Sequence, residues 1–323
     1  MRYRQLGRTG MEVSEVGHGL WGMGEWTGSD DQLSMAALQR SVDLGCNFFD
    51  SAWAYGDGRS DGLLGELLRR NPEKTLYAAS KVPPKNGKWP GSARDRYLDV
   101  FPPEHVFRSV ESILKAMQRE TIDLLQFHVW DDSWTDAPEF PRTIEQLKAR
   151  GLVRAFGLSL NRWEPWNGIQ ALRTGLVDAV QVIYNIFDQA PEDELFPACR
   201  ELGVGVIARV PFDEGSLTGT LTRESTFPAD DWRSKYFLPA NLIPTVARVE
   251  RLKPLVPAAA TLAETALRFI LAAPQVSTVI PGMRSTRHVE ANIGASERGP
   301  LAPDEVARLR PHRWDRKPQP WSD

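Results

Sequence analysis

GHGLWG, residues 17–22, matches the glycine pattern G-x-G-x-x-G letter for letter, at the end of a short apolar run. Whether a dinucleotide's phosphates rest on it decides the fold. In a phosphate-gripping turn the glycines lead straight into a helix, so that the pyrophosphate meets the helix N-terminus. Here they run on through WGMGEWTGSDD, and the helical pattern begins only around Ser29 to Gln32. Such a turn also needs an acidic residue about 20 positions on, ending the second strand, to hold a ribose. Asp50 ends that strand, but a cluster of other polar and aromatic groups follows it. The match is read as a coincidence.

Outward from this stretch, short β-branched or apolar runs alternate with longer amphipathic ones. Strands are expected near 13–20, 47–52, 76–82, 122–129, 153–160, 179–185, 203–210 and 276–282. Helices are expected over 29–45, with a Ser/Asp cap and Gly45 as its stop, and over 59–70, 103–119, 140–151, 165–175, 192–203 and 261–273. Before the first strand, YRQLGRTGMEVS (3–14) reads as a β-hairpin turning at Arg8–Gly10. Near-continuous apolar strands separated by helices argue for a parallel sheet covered on its outer face. Eight units in about 280 residues is the count and size of a closed (β/α)8 TIM barrel. An open doubly wound sheet is the alternative. With no linker or repeat boundary, the chain 1–323 is expected to be one domain. The connections 83–103 and 211–241 are long for a compact domain, and such loops are usually functional. Both follow strands, which puts them on the C-terminal face, where barrel active sites are built.

The 323 residues are 41% hydrophobic and 25% charged, enough to bury one large core or two smaller ones. A formal net charge of -3 gives no electrostatic reason to expect nucleic acid or an anionic membrane as partner. MRYRQLGRTGM is charged and has no apolar h-region, so no signal peptide is expected. No run approaches the roughly 18 apolar residues of a membrane span. Cys46 and Cys199 are read as buried thiols in a reducing, cytoplasmic compartment. Eleven tryptophans is a high count, and some are expected to wall a pocket.

Four ionisable groups fall at or just after the ends of three successive strands: Asp50 and Tyr55, Lys81, and His128. A barrel brings those ends together, and the set suits proton transfer to a carbonyl oxygen. A free tyrosine, with a pKa near 10, is too weak an acid at neutral pH. The Lys81 ammonium is expected to lower that value, Asp50 to keep Lys81 charged and oriented, and His128 to hydrogen-bond the substrate oxygen. There is no C-x-x-C, H-E-x-x-H or G-x-S-x-G motif, so reducing equivalents are expected from a bound cofactor and no metal is expected. Trp21, Trp53 and Trp130 follow the ends of strands one, two and four and are expected to ring the substrate. Tryptophan faces suit sugars, cyclic polyols or aromatic ketones.

These residues resemble the aldo-keto reductase family. The likeness runs from RQLGRTGMEVSEVGHGLWG to VIPGMRSTRHVEANI through FFDSAWAYGDGRSDGLLGELL, SKV, DLLQFHVWD, QVIYN and IPG. It implies a (β/α)8 barrel binding NADP(H) across its C-terminal face, with NAD(H) the lesser choice. Tyr55 is then the general acid, tuned by Lys81 and Asp50, with His128 orienting the carbonyl. By the same likeness Ser159, Asn161 and Gln181 hold the nicotinamide carboxamide, although Leu160 separates two residues that are adjacent in many relatives. Gly19 and Leu20 would let the nicotinamide end lie close to the backbone, with Trp21 facing the substrate. Arg209 stands where relatives often place an aromatic ring, and a guanidinium plane also stacks on a flat ring. Beside an already cationic NADP⁺ it would favour the reduced form. Pro211, Phe212, Asp213, Glu214, Gly215 and Leu217 resemble the segment folded over the pyrophosphate, its acidic pair odd beside phosphates unless backbone amides make the contacts. Glu214 is alternatively assigned to the ribose. Gly282, Arg284, Ser285, His288 and Asn292 match the adenine and 2′-phosphate end, and Arg284 and Arg287 are the cations available there. The implied activity is reduction of an aldehyde, ketone or ketosugar. Two alternatives stay open: a sugar or cyclitol dehydrogenase, and a cofactor-binding regulatory subunit such as some family members provide to channels.

Overall fold

The computed structural model describes residues 1–24 and 29–316. The chain opens with an antiparallel hairpin of β1 (Tyr3–Gln5) and β2 (Glu12–Ser14), in which Tyr3 faces Ser14. Eight parallel strands follow: β3 (His18–Gly19), β4 (Phe48–Asp50), β5 (Tyr77–Val82), β6 (Ile122–Phe127), β7 (Val153–Ser159), β8 (Ala179–Ile183), β9 (Gly205–Arg209) and β10 (Val276–Val279). Each pairs with its sequence neighbour, from β3 to β10 without a crossover. Parallel bridges Val16–Val279 and Gly19–Gly282 join the first strand's segment to the last, closing the sheet into the expected (β/α)8 barrel. The expected strand 13–20 is two elements: its start belongs to the hairpin, and only His18–Gly19 enters the barrel.

The glycines of GHGLWG serve this closure. A Cβ on Gly19 would lie 2.9 Å from the Ile280 carbonyl oxygen, and one on Gly17 would lie 3.0 Å from the Phe48 carbonyl oxygen and from Thr278 Oγ1. Absence of a side chain lets backbones touch there, with no phosphate needed. In the run 21–31, residues 25–28 lie outside the described residues; the helix that follows is Asp31–Asp43, capped by Asp30.

Side chains alternate across each strand with a period of two. Residues pointing outward, such as Phe49, Leu125, Phe127, Phe156, Val180 and Val206, join the main core between sheet and helices. Residues pointing inward, Phe48, Ala79, Leu124, Ala155, Ala179 and Ile207, form a second cluster in the barrel, sealed at its base by Leu6, Met11 and Val13 of the hairpin. Two positions further along these strands stand Asp50, Lys81, Gln126, Gly157, Gln181 and Arg209. The interior therefore turns from apolar to polar in one layer, at the C-terminal end.

The connection 83–103 contains a short helix, Tyr97–Val100, and 211–241 contains a 3-10 segment, Asp213–Thr218, and the helix Arg233–Tyr236. Helices Pro239–Leu252, Thr286–Arg298 and Pro303–Leu309 were not expected. Two of them start on proline at their first position, where a missing N–H costs nothing. Among the described residues, no helix is long and apolar enough to cross a membrane.

Candidate active site

Asp50, Lys81 and Gln126 stand on neighbouring strands: Asp50 pairs with Ala79 and Lys81 with Gln126. Lys81 is fully buried and donates from Nζ to Asp50 Oδ2 at 2.6 Å and to the Ser51 carbonyl at 2.7 Å. Gln181 Nε2 and Gln126 Nε2 donate to the other Asp50 oxygen at 2.8 and 3.2 Å. Burial alone would pull the Lys81 ammonium down, but Asp50 and Tyr55 outweigh it and hold Lys81 above its ordinary value. A buried pair kept hydrogen-bonded on every side fixes its own geometry.

Tyr55 lies in the turn between β4 and the helix Arg59–Arg70, with Lys81 Nζ 5.1 Å from its ring centre. The His128 ring meets it edge-on, centres 5.7 Å apart. The four expected catalytic residues are thus together. Lys81 lowers the Tyr55 phenol as expected, but burial raises it by more, with Asp50 adding to the rise, so the net direction is above its ordinary value. The phenol holds its proton through neutral pH. His128 is pushed well below its ordinary value by burial and by the charges of Lys81 and Arg209, so its imidazole is neutral there. Its Nδ1 is buried without a hydrogen-bond partner among the described residues.

The tryptophans divide. Trp21 is 43% exposed on the rim after β3, and Trp53 is half-buried against Gly58. Trp130 is 1% exposed, packed among Phe127, Trp134 and Phe140, with its Nε1 donating to Asp132. It is a core residue and not the pocket wall expected of it, because its ring turns outward between barrel and helix. Trp89, from the 83–103 connection, lies beside the tetrad instead: its ring meets His128 edge-on at 4.5 Å and is 43% exposed.

Several residues expected at a cofactor are committed elsewhere. The Leu20 side chain is buried in the outer core, and its N–H donates to the Asp50 carbonyl. Leu217 is likewise a core side chain. Asp213 is wholly buried and accepts from Arg162, Arg316, Ser216 and Tyr236, so its carboxylate faces no phosphate. The amides of Asp213, Gly215 and Leu217 donate within the turn, to Val210 and Phe212 carbonyls. The Gln181 amide nitrogen is occupied by Asp50 and Gln126, and Asn161 Oδ1 accepts from the Trp163 N–H. Ser159 is buried and pairs with Gln181 across the strands. Arg209 donates from Nη2 to the Leu160 carbonyl at 3.0 Å, while its Nε is buried without a hydrogen-bond partner among the described residues. Pro211 is buried, and Phe212, Glu214 and Gly215 are half-buried. Burial pushes the Glu214 carboxyl up to about 7. Ser285 caps the helix Thr286–Arg298 by accepting from the His288 N–H; Gly282, Arg284, Arg287 and His288 are exposed around that start, and Asn292 is buried one turn on.

Gln126 escapes a reading of the sequence by motif. The alternation Leu124, Gln126, His128 would have found it, as a polar residue on the inward face of an apolar strand. Arg162, Asp188, Tyr236 and Arg316 escape it too, because nothing local ties residues so far apart in the chain. Among the described residues, no group of three His, Cys, Asp or Glu side chains is placed to hold a metal ion.

Comparison with known proteins agrees with this geometry. The family model described as "Aldo/keto reductase family" matches residues 15–313. The chain is 27% identical over 307 residues to the NADH-specific methylglyoxal reductase of Escherichia coli (strain K12), covering 91% of this chain and 93% of that protein. It is 28% identical over 331 residues to the pyridoxal 4-dehydrogenase of Microbacterium luteolum, covering 90% and 91%. The holo form of the aldo-keto reductase AKR11C1 from Bacillus halodurans matches the structure with a TM-score of 0.78 at 25% identity, covering 100% of both chains. With a family match over nearly its whole length and a closed barrel carrying the site on its C-terminal rim, the chain belongs to the aldo/keto reductase family of oxidoreductases.

Proposed function

We propose that this protein, acting as one barrel domain, reduces an aldehyde, ketone or ketosugar to an alcohol with NADPH, Tyr55 donating the proton. The observation that carries the reading is the buried Asp50–Lys81 pair beside a protonated Tyr55, with a neutral His128 edge-on to the phenol. A substrate carbonyl seated between Tyr55 and His128 accepts hydrogen bonds from both, and as negative charge develops on its oxygen the phenol proton transfers to it. Lys81 sits close enough to stabilise the phenolate left behind, and Asp50 keeps the lysine charged. The nicotinamide, when bound, supplies the hydride.

The residues present fit such a group. His128 Nδ1 and Arg209 Nε are buried polar atoms left over at the polar rim, and Ser159 stands on the same face. Arg284, Arg287 and His288 cluster at the start of the helix Thr286–Arg298, which suits a 2′-phosphate and favours NADP(H). The name of the Escherichia coli relative specifies NADH, so both nucleotides belong in the test. Trp21, Trp53 and Trp89 supply aromatic walls for the substrate.

A second reading, oxidation of an alcohol, draws on the name of the Microbacterium relative. It requires Tyr55 as a phenolate, which burial opposes at neutral pH. A screen of NADPH and NADH oxidation over aldehydes, ketones and ketosugars tests the proposal. NADPH turnover is expected with at least one class, and Tyr55→Phe should cut kcat roughly 10²- to 10⁴-fold. Full activity in Tyr55→Phe would remove the phenol from the mechanism; no turnover with any carbonyl would leave the oxidative reading and that of a cofactor-binding regulatory subunit.

A further inference from the structure

The segment after β9 is strained. Val210, Asp213 and Glu214 have φ of 53°, 44° and 57°, a backbone shape that non-glycine residues avoid, β-branched valine above all. Such a shape persists where its surroundings over-determine it. The surroundings here are a buried ionic cluster. Arg162, just beyond β7, donates to both oxygens of Asp188 at 3.1 and 2.9 Å and to Asp213 Oδ1 at 2.6 Å. Arg316 donates from Nη2 to Asp188 Oδ2 at 2.9 Å and to Asp213 Oδ1 at 2.8 Å. Ser216 Oγ donates to Asp213 Oδ2 at 2.8 Å, and Asn185 Nδ2 holds the Val210 carbonyl at 3.1 Å. None of the four charged side chains is more than 11% exposed. Two cations and two anions balance, and removing one leaves a buried charge unpaired.

One cation of the cluster comes from the far end of the chain. Arg313 forks onto Asp193 at 2.7 and 2.6 Å, and the Trp314 N–H donates to the Phe187 carbonyl at 2.8 Å. The guanidinium groups of Arg248 and Arg316 lie 4.2 and 4.6 Å from the Trp314 ring centre. The arm 313–316 is thereby laid across the connection after β8 and reaches the one after β9.

We infer that this C-terminal arm is a working part of the nucleotide site: Arg316 is a positioning residue that acts through Asp213 to hold 213–218 in the shape that receives the dinucleotide. The inference rests on the proposed NADP(H) binding and on the resemblance, which sets 211–217 over the pyrophosphate. Asp213 itself turns inward, to Arg162 and Arg316, and not toward a phosphate.

The test is NADPH dissociation from the full chain, followed by stopped-flow fluorescence on displacement with excess NADP⁺, together with hydrogen exchange of the 213–218 amides without nucleotide. Arg316→Ala should release NADPH about tenfold faster or more, since the segment must then be ordered at each encounter. Arg316→Lys, which keeps the charge and loses the fork, should fall between. The same amides should exchange faster in Arg316→Ala while the barrel strands keep their protection. Dissociation within twofold of the unmutated rate overturns the inference, whatever the exchange shows. Should Arg316→Ala not fold, Arg316→Lys and Asp188→Asn read the same rate against the same twofold limit. If the unmutated chain binds no NADPH, the cofactor reading itself falls and this inference with it; NADPH binding that Arg316→Ala leaves unchanged overturns the arm's role alone.

Discussion

Arg209 ends β9 with one nitrogen tied to the Leu160 carbonyl and Nε unpaired among the described residues, in a position where its charge reaches both Tyr55 and His128. A fixed cation there weakens binding of a cationic nicotinamide relative to the neutral reduced one. Arg209→Tyr is expected to move the ratio of NADPH to NADP⁺ affinities toward NADP⁺ by about three- to tenfold, a shift of roughly 0.7–1.4 kcal/mol. Titration of both forms measures it, and an unchanged ratio removes the charge argument. At this scale the tetrad was legible from its strand ends, because Asp50, Lys81 and His128 each close an apolar run. The net direction at Tyr55 was not, since desolvation depends on what packs over the ring and leaves no trace in the local sequence. Asp213 was misplaced for the same reason: its partner Arg316 stands 103 positions away.

Between the strands, legibility followed length and period. Long amphipathic helices such as Arg59–Arg70 and the six-residue strands β5 and β6 emerge close to their expected bounds. The two-residue β3 was absorbed into a longer run, because so short a strand is specified by its partners across the barrel and not by its own pattern. The 83–103 connection stands out in the sequence by its length and polarity, and the structure tethers it beside His128. Trp134 Nε1 holds the Asp95 carbonyl at 2.7 Å, Lys88 pairs with Asp95 at 2.6 Å, and Trp89 meets His128. In the proposed site this tethered wall faces the substrate and not the nucleotide. Trp89→Ala should raise KM about tenfold for any substrate found, as loss of a stacked aromatic face does, and leave NADPH affinity unchanged. A fall in kcat at constant KM would mean that the ring serves His128 instead.

For the molecule as a whole, stability and chemistry meet at Asp61. It is wholly buried on the helix Arg59–Arg70, with Ser80 Oγ donating to Oδ1 at 2.9 Å and Oδ2 unpaired among the described residues. Burial raises its carboxyl to about 6. The folded chain thus holds this proton more tightly than the unfolded one, so the group costs nothing below the ordinary carboxylate range. Its penalty grows as pH rises through about 4 to 6 and is constant above. Asp61→Asn should therefore stabilise the protein on the order of 2 kcal/mol more at pH 8 than at pH 4, read from denaturant unfolding at both. An equal difference at the two pH values would place the cost elsewhere. The barrel's closure carries a further consequence, for how the protein is made. Val16 and Gly19 meet Val279 and Gly282, and Arg4 reaches the Leu271 and Val276 carbonyls, so the seam joins the first barrel strand to the last, the one made after all the others. On a ribosome every other strand emerges and finds its neighbour while the first waits with an open edge. The nascent sheet therefore stays unsealed until the β10 segment has emerged to meet the first strand.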